Sequence, residues 1–311
     1  ILNQVSQQKV MVGDPFQAIY AWRGAINTLG MVDYPSHVLS TSFRFPQNIA
    51  DEAMRILQLY KRIDKTWVEP YNIKGLGTSK KLDTRAILAR GNISLIKEAI
   101  DQVNNHDIDK IYFEGANGNI DQYLYNTDGI YIFDLLNLKL GKMSAIRSPI
   151  LSKFKSYSEF SKFVEDTEDT DLGRMQSLIE MYRTDLYDRI KDLRDCLTPH
   201  RNSAEIIFST GHKAKGLEYD LVQLTEDYIN TEQFTKMMGE IKFYGKPLGP
   251  IIEANLKEQI NLLYVVATRT KNKLENLVLP FDEFIGEDEG IESSLESINN
   301  EEIGEGEVAN D

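Results

Sequence analysis

The sequence predicts an α/β fold built on a parallel sheet, with a helical insertion. Three observations carry this expectation. Residues 86–114 alternate strand, helix and strand. The stretch from about 126 to 200 changes to helical spacing, and the strand pattern returns at Ile206–Phe208. Segments rich in glycine, lysine and arginine follow several of the strands, where open α/β sheets bind ligands.

Residues 9–14, Lys-Val-Met-Val-Gly-Asp, read as a short buried strand ending at a turn, and 38–43 read as another. Pro46 then opens a helix, since its fixed φ and missing N–H suit the first turn. Ile49, Ala53, Ile56 or Leu57, and Tyr60 give that helix one apolar face. Gly75 and Gly77 mark a loop. A strand at Ala86–Ala89, a helix at Ser94–Val103 and a strand at Lys110–Glu114 follow, closed by a tight Asn117-Gly118 turn. In the helical stretch, Leu186, Ile190, Leu193 and Leu197 share one face.

The 311 residues suit two domains with room for a small third, and a 41% hydrophobic share excludes a wholly disordered chain. No apolar run approaches the roughly 18 residues needed to cross a bilayer, so no membrane partner is expected. Ile1 stands where a start methionine would, which fits an internal fragment or a processed product. A single cysteine, Cys196, excludes an intramolecular disulfide and fits an intracellular setting, cytoplasm or nucleus. His37, His106, His200 and His212 show no metal-ligand spacing. The net charge of -13 is concentrated in residues 281–311, which hold twelve acids and no Lys or Arg. The remaining 35 basic and 36 acidic residues leave 1–280 nearly neutral, so a local basic groove is compatible with the composition. The tail reads as a disordered solvating segment that could hold a protein partner or compete with DNA for a groove.

Four stretches carry candidate chemistry. Gly13–Ala25 places Gln17, an amide able to orient water or a phosphate oxygen, near Tyr20, Trp22 and Arg23. Such an aromatic and cationic cluster suits stacking on unpaired bases with arginine on phosphate. From spacing alone, the reading of Tyr20 and Trp22 as core residues is the favoured one. Ser42-Phe43-Arg44-Phe45-Pro46 offers Arg44 to a phosphate across a domain interface and Phe43 to a nucleobase, the bland alternative being an Arg44 pair with a surface acid. Ser209–Glu218 offers Lys213, Lys215 and backbone amides around Gly216 to phosphate, and Glu218 to a ribose hydroxyl. His212 there is by itself readable as structural. Asn261–Lys271 reads as a helix whose Arg269 is either a second arginine finger or a solvated residue.

In order, these stretches resemble motifs III, IV, V and VI of superfamily-one helicases of the UvrD/Rep type. Residues 13–25 match the family pattern G-D-x-x-Q-x-I-Y-x-[FW]-R-G-A throughout. Thr210–Glu218 matches T-x-H-K-x-K-G-L-E. The fourth stretch resembles L-L-Y-V-A-x-T-R-A-K, with Val266 and Thr270 replacing alanines. The second has Phe43 before Arg44 where the family often has tyrosine, which keeps a stacking face and loses a hydroxyl. Leu88-x-Arg90-x-Asn92 is similar to a lesser family motif. Thr41–Phe45, the short middle insertion with Phe154-x-Ser156, and Glu226-Asp227-Tyr228 resemble the F-box DNA helicases, although no F-box is visible.

The resemblance implies a RecA-like fold of the P-loop NTPase type, with ATP between two such domains and single-stranded DNA across them. Residues 1–30 are then the end of the first domain. Residues 31–125 and 201–280 form the second, 126–200 a helical, 2B-like insertion, and 281–311 an acidic tail. It implies catalytic roles for Gln17, as γ-phosphate sensor, and for Arg44 and Arg269, as arginine fingers. It implies ATP binding by Phe43, Gly216 and Glu218, and DNA binding by Tyr20, Trp22, Arg23 and His212. ATP closure and release would ratchet the domains along the strand, usually 3′ to 5′, toward duplex junctions. The phosphate loop G-x-x-x-x-G-K-[ST] is nowhere in the chain, and Gly75–Lys81 imitates it poorly. The Asp-Glu box for Mg²⁺ is expected upstream of Ile1, in an N-terminal half that would be a partner, so the chain alone is expected to be inactive. A non-enzymatic DNA- or partner-binding module is the rival reading. A fused nuclease ranks below both, since nothing after Lys271 looks like a metal cluster.

Overall fold

The computed structural model describes residues 10–25, 29–31, 35–106, 108–244 and 248–281. The acidic tail, and the strand expected to begin at residue 9, lie wholly or partly outside the described residues. The chain folds into a five-stranded parallel sheet of order β4-β5-β3-β6-β7, made of β3 (Arg85–Ala89), β4 (Ile111–Phe113), β5 (Ile206–Thr210), β6 (Tyr219–Leu224) and β7 (Thr270–Glu275). A separate two-stranded parallel pair joins β1 (Thr41–Ser42) to β2 (Lys74–Gly75).

The alternation of side chains along each strand splits the core in two. Ala86 and Leu88 of β3, Ile207 of β5 and Val222 of β6 face one cluster. That cluster is covered by α1 (Gln47–Gln58), the short α2 (Tyr60–Ile63), α9 (Thr231–Tyr244) and α10 (Leu248–Ala267). Ile87, Ala89, Ile206 and Phe208 face the other cluster, covered by α3 (Asn92–Asn105). Helices α4 (Ile132–Lys139), α5 (Tyr157–Thr167), α6 (Thr170–Tyr182) and α7 (Leu186–Asp195) share that second cluster. The helical stretch is therefore a layer continuous with the sheet's own core.

Local chemistry explains the helix starts. Pro46 precedes α1, and Ile49, Ala53, Ile56, Leu57 and Tyr60 are all buried, as their spacing predicts. Ser156 caps α5 by accepting from Glu159 N at 3.2 Å, while Glu159 Oε2 accepts from Lys155 N. The Asp227 carboxylate accepts from Arg90 N and Gly91 N, which ties the carboxyl end of β3 and the start of α3 to the loop after β6.

Three expectations are corrected. Residues 10–14 form no strand, and Val10 and Val12 are 76% and 80% exposed, because among the described residues no sheet edge lies beside them to accept their hydrogen bonds. The strand expected over 38–43 pairs only at Thr41–Ser42, with Val38 and Leu39 exposed. The helix expected over 261–271 stops at Ala267, and Thr270 already belongs to β7. Asn117 and Gly118 both adopt positive φ, as the expected tight turn requires. No helix among the described residues is long and apolar enough to cross a membrane.

Candidate functional site

The parallel topology sorts the candidate residues to two edges of the sheet. Strand β5 ends at Thr210 and β6 begins at Tyr219, and both pair in parallel with β3. The connection 211–218 therefore runs from the carboxyl edge of the sheet to its amino edge, with His212 at the first and Glu218 at the second. A short helix, α8 (Gly211–Ala214), starts the crossing. It approaches α10 so closely that a Cβ on Gly211 would lie 2.7 Å from Val266 Cγ1. A type II turn then redirects the chain: Lys215 is extended, Gly216 has φ 89°, and Leu217 N donates to Ala214 O at 2.9 Å. Gly216 thus serves the turn that delivers Glu218.

At the amino edge three expected residues meet. Arg44 Nε donates to Glu218 Oε1 at 2.6 Å, and its Nη1 donates to the Thr268 carbonyl at 3.2 Å. Arg44 does pair with an acid, but that acid is itself a candidate, 174 residues away in the chain. Arg269 is only 2% exposed, which excludes the solvated reading. Its Nε donates to the Val265 carbonyl and its Nη2 to Thr268 Oγ1, both beside the end of α10. Burial, reinforced by the charge of Arg44, lowers the Arg269 pKa to about 10, so it remains a cation at neutral pH. Phe43, next to this group in the chain, is 79% exposed.

Gln17 lies in a turn organised by Asp14. The Asp14 carboxylate accepts from Phe16 N, from Gln17 Nε2 at 3.0 Å, and from the Tyr264 hydroxyl at 3.1 Å. Phe16 itself is buried against Tyr60, Trp67, Tyr71 and Tyr264. Asn261, one turn before Tyr264, donates to the Ala18 carbonyl and accepts from the Tyr60 hydroxyl. Residues 14–18 are thus fastened to α10, the helix that ends at Arg269.

At the carboxyl edge the nucleic-acid candidates gather. The Tyr20 hydroxyl donates to the His212 carbonyl at 2.9 Å, and the two rings lie 5.8 Å apart. The guanidinium of Arg23 and the ammonium of Lys215 lie 5.8 and 5.2 Å from the Tyr20 ring centre. Lys215 Nζ also donates to the Gln17 carbonyl, so its charge bridges the two candidate segments. Lys213 is engaged elsewhere, over the Tyr123 ring and on Gln122 Oε1. The His212 pKa is lowered by burial first, with the charges of Arg90, Arg23 and Lys215 adding to it, against a hydrogen bond to the Ile19 backbone. Trp22 sits in the helical turn Ala21–Arg23, and its side chain lies outside the described part. Among the described residues no group of three or more His, Cys, Asp or Glu side chains is placed to hold a metal ion.

Sequence reading assigned no role to Asp14, Asn261, Tyr264 or Asp227, although each falls in a stretch already singled out. Their long-range partners, Tyr264 for Asp14, Tyr60 and Ala18 for Asn261, and Arg90 and Gly91 for Asp227, leave no local signal in the sequence.

Known proteins are similar to this chain over most of its length. The family model of the UvrD-like helicase C-terminal domain matches residues 41–278. The chain is similar to F-box DNA helicase 1 of Gallus gallus, 25% identical over 274 residues, which covers 85% of this chain and 26% of that protein. It is also similar to F-box DNA helicase protein 1 of Schizosaccharomyces pombe, 26% identical over 298 residues, covering 88% of this chain and 31% of that protein. The chain thus spans a quarter to a third of the length of these relatives. With its parallel sheet and with more than half of its length matched, the chain belongs to the UvrD-like helicase C-terminal domain family.

Proposed function

We propose that this chain forms the C-terminal part of an ATP-dependent DNA helicase that moves along single-stranded DNA, 3′ to 5′, in replication, recombination or repair. The observation that carries the reading is the pairing of two clusters by two linking segments. Residues 14–20 and 212–218 both run between the arginine-rich amino edge and the aromatic, cationic carboxyl edge.

In this reading residues 1–30 close a first RecA-like domain, 31–125 with 201–280 form the second, and 126–200 are the 2B-like insertion. The amino edge faces ATP held mainly by an N-terminal half that carries the phosphate loop and the Mg²⁺ ligands. ATP, when bound, supplies the γ-phosphoryl group whose loss drives the cycle. Arg44 and Arg269 present positive charge to its phosphate oxygens, Gln17 orients at the γ-phosphate, Glu218 takes a ribose hydroxyl and exposed Phe43 covers the adenine. The donor set fits this use: two cations, an acid and an exposed ring share one edge. Tyr20, Trp22, Arg23 and His212 contact the strand, each stacked base contributing roughly 1–3 kcal/mol. The acidic tail is a regulatory segment or a partner's handle. DNA as substrate puts the protein in the cytoplasm or the nucleus.

The test is DNA-stimulated ATP hydrolysis by the longer polypeptide that joins this chain to its phosphate-loop domain. Arg44→Ala and Arg269→Ala should each lower kcat by about 10³-fold or more. A parent protein with no DNA-stimulated hydrolysis overturns the proposal.

A further inference from the structure

The glycine-rich stretch 75–81 imitates the phosphate loop poorly in sequence, and its position in the fold gives it a different use. Residues 74–77 lie along the backbone of 40–47 as a strap. Lys74 N donates to Ser40 O at 2.8 Å, Leu76 N to Ser42 O at 2.7 Å and Gly77 N to Phe45 O at 2.9 Å. Gln47 locks the strap from the first turn of α1: its Oε1 accepts from Gly75 N at 3.0 Å and its Nε2 donates to Ile73 O at 3.4 Å. The contact is backbone against backbone. A Cβ on Gly77 would lie 2.5 Å from Phe45 N and 2.6 Å from the carbonyl carbon of Arg44. A Cβ on Gly75 would lie 2.5 Å from the Pro46 carbonyl. Neither glycine has positive φ, so space, and not backbone conformation, demands glycine at both positions.

We infer that Gly75 and Gly77 are positioning residues for Arg44. Besides the strap, the bend 43–46 is fixed by buried Phe45 and by Arg44 N donating to Ser42 Oγ at 3.3 Å. Phe43 is exposed and β1 is two residues long, while Phe45 is buried beneath the bend. Arg44 must nevertheless reach Glu218 and the Thr268 carbonyl at the end of α10. The strap lies directly against the peptide between Arg44 and Phe45, so the guanidinium is aimed before any nucleotide arrives. A single methyl at position 77 pushes that peptide and swings the side chain away from Glu218.

This inference rests on the proposed role of Arg44 only for its functional meaning. The placement can be tested in the full chain alone by arginine Nε–H spectra, with the Arg44 signal assigned by its loss in Arg44→Lys. The native chain should show an Arg44 Nε–H protected from exchange by Glu218. Gly77→Ala should shift that signal and accelerate its exchange about tenfold. Gly239→Ala, in the open middle of α9 with nothing within 4 Å of its Cβ, should leave it in place. If Gly77→Ala does not fold, Gln47→Ala decides, since it loosens the strap from an exposed position without a clash. An Arg44 signal unchanged in folded Gly77→Ala, or in Gln47→Ala where that variant decides, overturns the inference. If the strap controls the signal and Arg44→Ala still leaves hydrolysis intact in the longer polypeptide, the finger reading falls and the strap stands.

Discussion

His212 shows how one side chain's surroundings set its chemistry. Burial and three nearby cations favour the neutral imidazole, so at neutral pH His212 offers a ring and a hydrogen-bonding group and not a charge. The folded pKa lies below the unfolded value of about 6.5. The stability this contributes is therefore fully present above pH 6.5 and is lost as pH falls through the folded value. Urea unfolding of His212→Gln should lose part of the native chain's acid sensitivity below pH 6.5, and proton NMR should place the His212 titration below 6.5. A measured value at or above 6.5 contradicts the burial argument. Residue identities at both edges were legible because the motifs are short and local. The pair of Arg44 and Glu218 was not legible, because nothing local relates residues 174 apart.

At the scale of elements, α10 is the beam that joins both clusters. Its apolar run Leu262–Ala267 is buried throughout, while Asn261, Tyr264 and the Thr268–Arg269 turn carry the polar contacts. Asn261→Leu removes the partners of the Tyr60 hydroxyl and the Ala18 carbonyl together in a buried place, at a cost of about 1–3 kcal/mol. Adding Tyr60→Phe should recover part of that loss, because one of the stranded groups is then gone. Additive urea midpoints for the two substitutions would show that the hydroxyl was never dependent on Asn261. The end of this helix was misread because Thr268–Lys271 continues the chain without glycine or proline, the usual punctuation. Strand pairing with β6 stops it instead. The opposite error at residues 10–14 has the same origin. An apolar, β-branched run states a preference, and a strand needs a neighbouring edge to realise it. Helix α1 and strand β3 were readable because burial on one helix face, or on both strand faces, leaves its period in the sequence.

At the scale of the whole molecule, residues 1–280 are nearly neutral and place two side-chain clusters at opposite edges of the sheet, while the excess charge lies in residues 281–311. The sheet separates the edges, and residues 14–20 and 212–218 reconnect them. The carboxyl edge can be tested by itself. Its charge is carried by Arg23, Lys215 and Arg90, and its rings by Tyr20 and His212. The most direct measurement is the fluorescence anisotropy of labelled single-stranded DNA titrated with this chain, across a salt series, beside Tyr20→Ala and Trp22→Ala. The account predicts binding that weakens steadily with salt and falls by roughly 5- to 150-fold in each variant, the equivalent of about 1–3 kcal/mol. Binding that survives both substitutions unchanged, or that is insensitive to salt, would contradict a strand track built on this edge.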